Sequence, residues 1–178
     1  MKKLLVVVDM QNDFVDGVLG TPEAAAIVPN VVEKINGWNG DIIATRDTHE
    51  SNYMETREGK FLPVVHCVDG EYGHLINDDV KNAFYEKGKQ GYNVTFLNKR
   101  TFGSTVLPEL IRMEGYEYIE LIGLCTGICV VSNAMLLKAN FPETDIAVDA
   151  KCCACVTPES HKAALSTMQM CQIEIIGE

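Results

Sequence analysis

The chain has 178 residues, of which 47% are hydrophobic and 22% charged. Those proportions exclude a disordered, collagen-like or low-complexity chain. Fifteen Lys and Arg against 25 Asp and Glu leave a formal net charge of −10, and such an acidic surface repels phosphate backbones and anionic lipid, which argues against nucleic-acid and membrane-surface partners. No apolar run reaches the ~20 residues of a membrane span. The opening run, Leu4 to Val8 behind Lys2 and Lys3, stops at Asp9, short of the ~7–15 apolar residues of a secretory signal core. A single cytoplasmic domain over 1–178 is the expectation. Seven cysteines are an odd number in a chain of this size, so reduced thiols are expected in place of a disulfide framework. The Cys152-Cys153-Ala154-Cys155 cluster lacks the C-x2-C pairs of structural zinc sites, and core packing is its expected role.

In chain order, residues 4–8 read as a strand. Thr21-Pro22-Glu23 then caps a helix through Ile35, and residues 42–45 form a second strand. A long connection follows, from Arg46 to about Leu75, and loops of that length are usually functional. Beyond it come a strand at 93–97, a helix over 104–113, a strand at 118–122 and a helix over 127–139. A strand at 145–148, a helix from Thr157-Pro158 to Met170 and a strand at 173–176 complete the chain. The strands are rich in Val, Ile and Leu without strict alternation, the mark of strands covered on both faces. Strands alternating with helices predict a three-layer α/β/α sandwich around a mostly parallel, Rossmann-like sheet of about six strands. In such sheets ligands bind beyond the carboxyl ends of the strands.

The residues at those ends are Asp9, then Asp47 and His49, then Lys99, then Gly123 to Cys129. An acid, a lysine and a cysteine converging on one sheet edge form a nucleophilic constellation without an obvious catalytic histidine. Cys129 is expected in the first turn of a helix, where the dipole and a neighbouring lysine both lower a thiol's pKa.

Three segments carry a resemblance. Val6-Val7-Val8-Asp9-Met10-Gln11-Asn12-Asp13-Phe14 resembles the opening of the isochorismatase-like cysteine hydrolases, the superfamily that includes nicotinamidases. Asn98-Lys99-Arg100-Thr101-Phe102-Gly103-Ser104 is similar to that family's lysine segment, and Gly123 through Val130 to its nucleophile loop. The resemblance implies Cys129 as nucleophile, Asp9 as acid/base and Lys99 as the third member of a triad that lowers the pKa of both. It also implies a cis peptide between Leu124 and Cys125, with the Cys125 and Cys129 N–H groups serving an oxyanion. Asp47-Thr48-His49 together with Leu62-Pro63-Val64-Val65-His66-Cys67 resembles the metal-binding segments of nicotinamidases. The implied ligands are Asp47, His49 and His66, with Glu58 as the fourth and Glu55 as its alternative. His74 lies past the matched segment. Such a donor set suits one divalent ion, zinc first, with manganese or iron as alternatives.

Two positions depart from the pattern. Thr126-Gly127 stands where the family's loop usually has Thr-Asp, and Phe61-Leu62-Pro63 lacks a tryptophan that many nicotinamidases carry. Phe14 is a candidate for stacking on a substrate ring, with ordinary core packing as the alternative. The implied activity is metal-dependent hydrolysis of nicotinamide to nicotinate and ammonia through a cysteine thioester, and homo-oligomers are common in the family. The competing expectations are hydrolysis of another small amide such as a carbamoyl or ureido compound, isochorismatase-type hydrolysis, and a non-catalytic metal-binding or thiol-redox protein.

Overall fold

The computed structural model describes residues 1–177. Its six strands are β1 Lys3–Val8, β2 Asp41–Asp47, β3 Val94–Lys99, β4 Tyr118–Leu124, β5 Asp145–Ala154 and β6 Glu174–Ile176. They form one sheet in the order β3-β2-β1-β4-β5-β6, and every neighbouring pair is parallel. The helices are α1 Asn12–Val15, α2 Pro22–Gly37, α3 Arg57–Phe61, α4 Asp78–Lys89, α5 Val106–Ile111, α6 Val131–Asn140 and α7 Pro158–Met170.

Parallel neighbours need crossovers, and right-handed crossovers fix which face each helix covers. From β1 the chain winds outward to β3 by way of α2 and α4, whose Ile27, Val31, Ile35, Val80 and Phe84 pack on Leu5, Val7, Ile42 and Ala44. It then returns through α5 to β4 and winds the other way through α6 and α7. Those helices press Leu107, Leu137, Leu165 and Met168 onto Leu4, Val6, Leu121 and Val148 of the opposite face. Alternate residues of one strand thus enter different cores, which explains strands that read as unbroken apolar runs. Cys152 and Cys153 follow the same rule, one in each layer. Facing opposite ways, they cannot share an ion, and all seven thiols are free.

The direction of winding reverses between β1 and β4, so their carboxyl ends open a crevice at the switch point. Three features differ from the sequence expectation. Helix α4 occupies a stretch with no predicted element. Its buried stripe is Val80, Ala83, Phe84 and Lys87, and Asn77 caps it through the Asp79 N–H. The lysine in that stripe breaks the apolar periodicity, while its ammonium donates to the Trp38 carbonyl at 2.5 Å. The helix predicted over 104–113 is shorter, Val106–Ile111. The helix predicted over 127–139 begins instead with a π turn, Thr126–Val130, ahead of α6. No helix among the described residues is long and apolar enough to cross a membrane.

Candidate active site

At the end of β1 the backbone of Asp9 takes φ +50°, a left-handed conformation rare for a residue with a Cβ. Its carboxylate is completely buried. Thr45 on the neighbouring strand donates its hydroxyl to Oδ1 at 2.7 Å, and the Lys99 ammonium lies 2.6 Å from Oδ2. Lys99 ends β3 in register with Asp47 at the end of β2, which brings its Nζ within 3.3 Å of Asp47 Oδ1. The same ammonium donates to Cys129 Sγ at 3.5 Å. One buried cation therefore touches two carboxylates and a thiol. The peptide between Leu124 and Cys125 is cis.

The electrostatics depart from the sequence expectation. Burial raises the pKa of Asp9, and Lys99 offsets only part of that rise. Cys129, 5% exposed, is pushed well above the ordinary thiol range by burial and by the Asp9 carboxylate, against the pull of Lys99. The expected lowering fails because the sulfur sits in the π turn, almost dry, beside a carboxylate. Although burial opposes its charge, Lys99 is held well above the ordinary ammonium value by Asp9 and its other neighbours. A dry thiol thus stands beside a carboxylate whose own pKa burial raises.

Asp47 also faces a second cluster. Its Oδ2 lies 3.0 Å from His49 Nε2 and 3.5 Å from His66 Nε2. Glu58 Oε1 is 3.7 Å from His49 Nε2 and 4.0 Å from His66 Nε2. One ligand atom from each of Asp47, His49, Glu58 and His66 lies within 4.8 Å of all the others. The donor set fits a divalent metal, and the outer contacts support that fit. A carbonyl can only accept, so the 2.8 Å contact of His66 Nδ1 with the Val64 carbonyl places the proton on Nδ1 and turns the Nε2 lone pair toward the cluster. Burial works against its charge, yet His49, His66 and Lys99 hold Asp47 well below the usual carboxylate range. Glu58 sits in the first turn of α3, capped by Thr56, which accepts the Gly59 N–H at 3.0 Å. Glu55 is exposed in the preceding 3-10 turn and is outside the cluster. His74 is buried elsewhere, its Nε2 2.9 Å from Thr48 Oγ1.

Both clusters border a cavity of about 270 Å³ whose wall includes Phe14, Leu62, Phe102, Ile128, Cys129 and Val156. Phe14 faces it with its ring centroid 5.5 Å from that of His66. Phe61 points outward at 77% exposure, while Leu62 forms wall. Cys125 and Cys155 also line the cavity, and burial pushes the Cys125 thiol up to about 12. Gln11 is the main residue that sequence reasoning left without a role. Its completely buried amide donates to the Asp47 and His74 carbonyls at 2.8 and 2.9 Å and accepts the Asp47 N–H at 2.7 Å. The signal was an amide two residues past Asp9 in a strand-end segment. Only the folded excursion reveals the main chain it clamps.

A family profile described as the isochorismatase domain matches residues 3–177. The chain belongs to the isochorismatase family. This family member is 28% identical over 180 residues to an uncharacterized isochorismatase family protein of Bacillus subtilis, covering 93% of each chain. It is 25% identical over 186 residues to the nicotinamidase/pyrazinamidase of Mycobacterium tuberculosis, covering 98% of each. Its fold superposes on a Bacillus subtilis nicotinamidase/pyrazinamidase crystal structure with a TM-score of 0.85 at 26% identity, covering 98% of this chain and 99% of the other. The three-layer architecture expected from the sequence is that of the isochorismatase-family hydrolases.

Proposed function

We propose that this isochorismatase-family hydrolase is a metal-dependent amidase that converts nicotinamide to nicotinate and ammonia. The observation that carries the reading is Asp47, one carboxylate shared between the Lys99 ammonium and the two imidazoles of the metal-type cluster. It fastens a nucleophile group and a ligand group to one wall of one cavity. Relatives named for nicotinamidase activity support the substrate class. The cavity supports it as well, because no arginine or lysine is among the described residues that line it. A neutral amide needs no counter-charge there, whereas isochorismate and carboxylate-bearing carbamoyl compounds do.

Asp9 takes the thiol proton of Cys129 as sulfur attacks the carboxamide carbon. The N–H groups of Cys125 and Cys129 stabilise the oxyanion that forms. Asp9 returns the proton to nitrogen, the C–N bond breaks, ammonia leaves and a thioester to Cys129 remains. Asp9 then removes a proton from water as its oxygen attacks the thioester. The C–S bond breaks, the proton on Asp9 restores the thiol, and the acid leaves as nicotinate after giving water's second proton to solvent. Lys99 stays charged and holds Asp9 and Cys129 in contact throughout. Asp47, His49, Glu58 and His66 would hold one zinc, manganese or iron ion. When bound, that ion supplies Lewis-acid attraction for the pyridine nitrogen, which orients the ring and draws electron density from the carboxamide. Phe14 and Leu62 flank the ring. Ammonia release from nicotinamide, measured with the metal content of the same sample, tests the reading. Metal-replete protein that releases none refutes it.

A further inference from the structure

Lys99 and Cys129 stand on segments that are not neighbours in the sheet, since β2 and β1 lie between β3 and β4. No single ladder of backbone hydrogen bonds pairs the two segments directly. The chain after Lys99 instead docks on α6 through three consecutive residues. The Phe102 carbonyl accepts from Asn133 Nδ2 at 3.2 Å, and the Ser104 N–H donates to Asn133 Oδ1 at 2.9 Å. Between them Gly103 approaches so closely that a Cβ would stand 2.7 Å from Leu136 Cδ1 and 3.1 Å from Ser132 Cβ. The Asn133 amide also reaches back one turn, its Nδ2 donating to the Cys129 carbonyl at 2.8 Å.

This side chain is completely buried. Both of its N–H hydrogens and its oxygen are used, and the three bonds join the segment that follows Lys99 to the turn that carries Cys129. We propose that Asn133 is a positioning residue that sets the contact between the Lys99 ammonium and the Cys129 sulfur by clamping the Phe102–Ser104 segment to the nucleophile turn. The inference rests on the reading of Lys99 and Cys129 as reacting groups. A neutral amide suits the role because it donates and accepts at once. Aspartate would set a carboxylate against two carbonyls, and leucine would fill the volume while removing all three bonds to the Phe102 carbonyl, the Ser104 N–H and the Cys129 carbonyl.

The test compares Asn133→Leu with Asn133→Thr in the full-length, metal-loaded protein. A threonine hydroxyl can donate to the carbonyl four residues back, so it restores the bond to Cys129 but neither bond to the Phe102–Ser104 segment. With nicotinamide, both variants should lose about 10²-fold, chiefly in kcat, the scale of a misplacement of about 1 Å, because neither holds that segment. Alkylation of Cys129 by iodoacetamide, read by mass spectrometry, should slow at least ~10-fold in both. That readout needs no substrate. If wild-type protein fails to hydrolyse nicotinamide, the amidase reading falls and the alkylation rates alone decide the role of Asn133. A folded Asn133→Leu protein within about threefold of wild type in kcat and alkylation overturns the proposal, as does recovery of wild-type values in Asn133→Thr, which would leave only the bond to Cys129 as the cause. Should Asn133→Leu not fold, Gly103→Val pushes the same segment off α6 from the outer side. It should reproduce the losses, and wild-type values for it would overturn the proposal too.

Discussion

One oxygen of Asp47 faces the lysine and the other faces two imidazoles, so single-residue changes around it separate the two halves of the site. Cys129→Ala removes the proposed nucleophilic atom and touches no member of the ligand cluster. It should reduce turnover to background while metal content and melting temperature stay at wild-type values, and measurable residual hydrolysis would reassign the nucleophile. In the other half, His49→Ala or His66→Ala deletes one of four donors whose ligand atoms lie within 4.8 Å. Each should release the proposed ion on dialysis, as read by elemental analysis. His74→Ala should retain it, because that ring is bonded to Thr48 outside the cluster. These side chains were legible in the chain because strand ends and a D-x-H pair mark them. The direction of the thiol's shift was not legible. Helix position and a nearby lysine can be read from sequence, but the dryness of the pocket and the carboxylate against the sulfur exist only after folding.

Among the elements, the strands were legible and the helices unevenly so. Short runs rich in Val, Ile and Leu, such as Leu4 to Val8, read as strands between two cores, whereas the apolar spacing of 127–139 is equally compatible with a π turn followed by an α-helix. Helix α4 escaped because Lys87 stands where a fourth apolar residue would complete its stripe. Helix α7 was the clearest from sequence, and its start has the expected cap. Thr157 accepts the Ser160 N–H at 3.2 Å, and Ser160 Oγ accepts the Thr157 N–H at 3.1 Å. Thr157→Ala should cost about 1 kcal/mol in chemical denaturation. One turn further on, His161 Nδ1 lies 2.8 Å from Thr126 Oγ1 and so ties α7 to the π turn that carries Cys129. Burial and the neighbouring Lys162 hold its pKa below the ordinary imidazole value. With the folded value below the unfolded one of ~6.5, the unfolded chain binds more protons as the medium acidifies. The stabilisation is therefore full above ~6.5 and is lost as pH falls toward the folded value. Wild-type protein should lose more melting temperature than His161→Asn between about pH 7.5 and about pH 5.5. Parallel curves would remove His161 from the account.

At the scale of the molecule, the reversal of winding between β1 and β4 makes a crevice, and the acid and the thiol come from its two lips. Gly123 shows how tightly the lips are set: it has φ +115°, and a Cβ there would overlap the Val8 carbonyl. Substrate choice is a property of the whole cavity, which is walled mostly by apolar side chains, with Thr21 and the Asp47, Glu58 and His66 corner as its polar part. Nicotinamide and pyrazinamide both carry a ring nitrogen meta to the carboxamide and should both be hydrolysed. Benzamide has the same shape without that lone pair. Its kcat/KM should fall at least ~100-fold, or ~2.7 kcal/mol. The ratio is the diagnostic, since a looser wall at Leu62 would raise KM for all three amides alike. Equal kcat/KM for benzamide and nicotinamide would instead favour recognition of the amide group alone.

The four ligand-type residues all come from one stretch of chain, the end of β2 and the excursion that follows it, whereas Asp9, Lys99 and Cys129 come from three different strand ends. The excursion carries its own internal ties, among them the His49 N–H bonded to the Cys67 carbonyl at 3.0 Å and the Asp69 N–H bonded to the His49 carbonyl at 2.9 Å. On the proposed reading, recognition and bond-breaking therefore draw on different stretches of the gene. Changes within the excursion can then alter what the site holds, provided its ties to Gln11, Asp13 and Lys99 persist. Asp47 belongs to both stretches, since one of its oxygens faces the ammonium and the other the imidazoles.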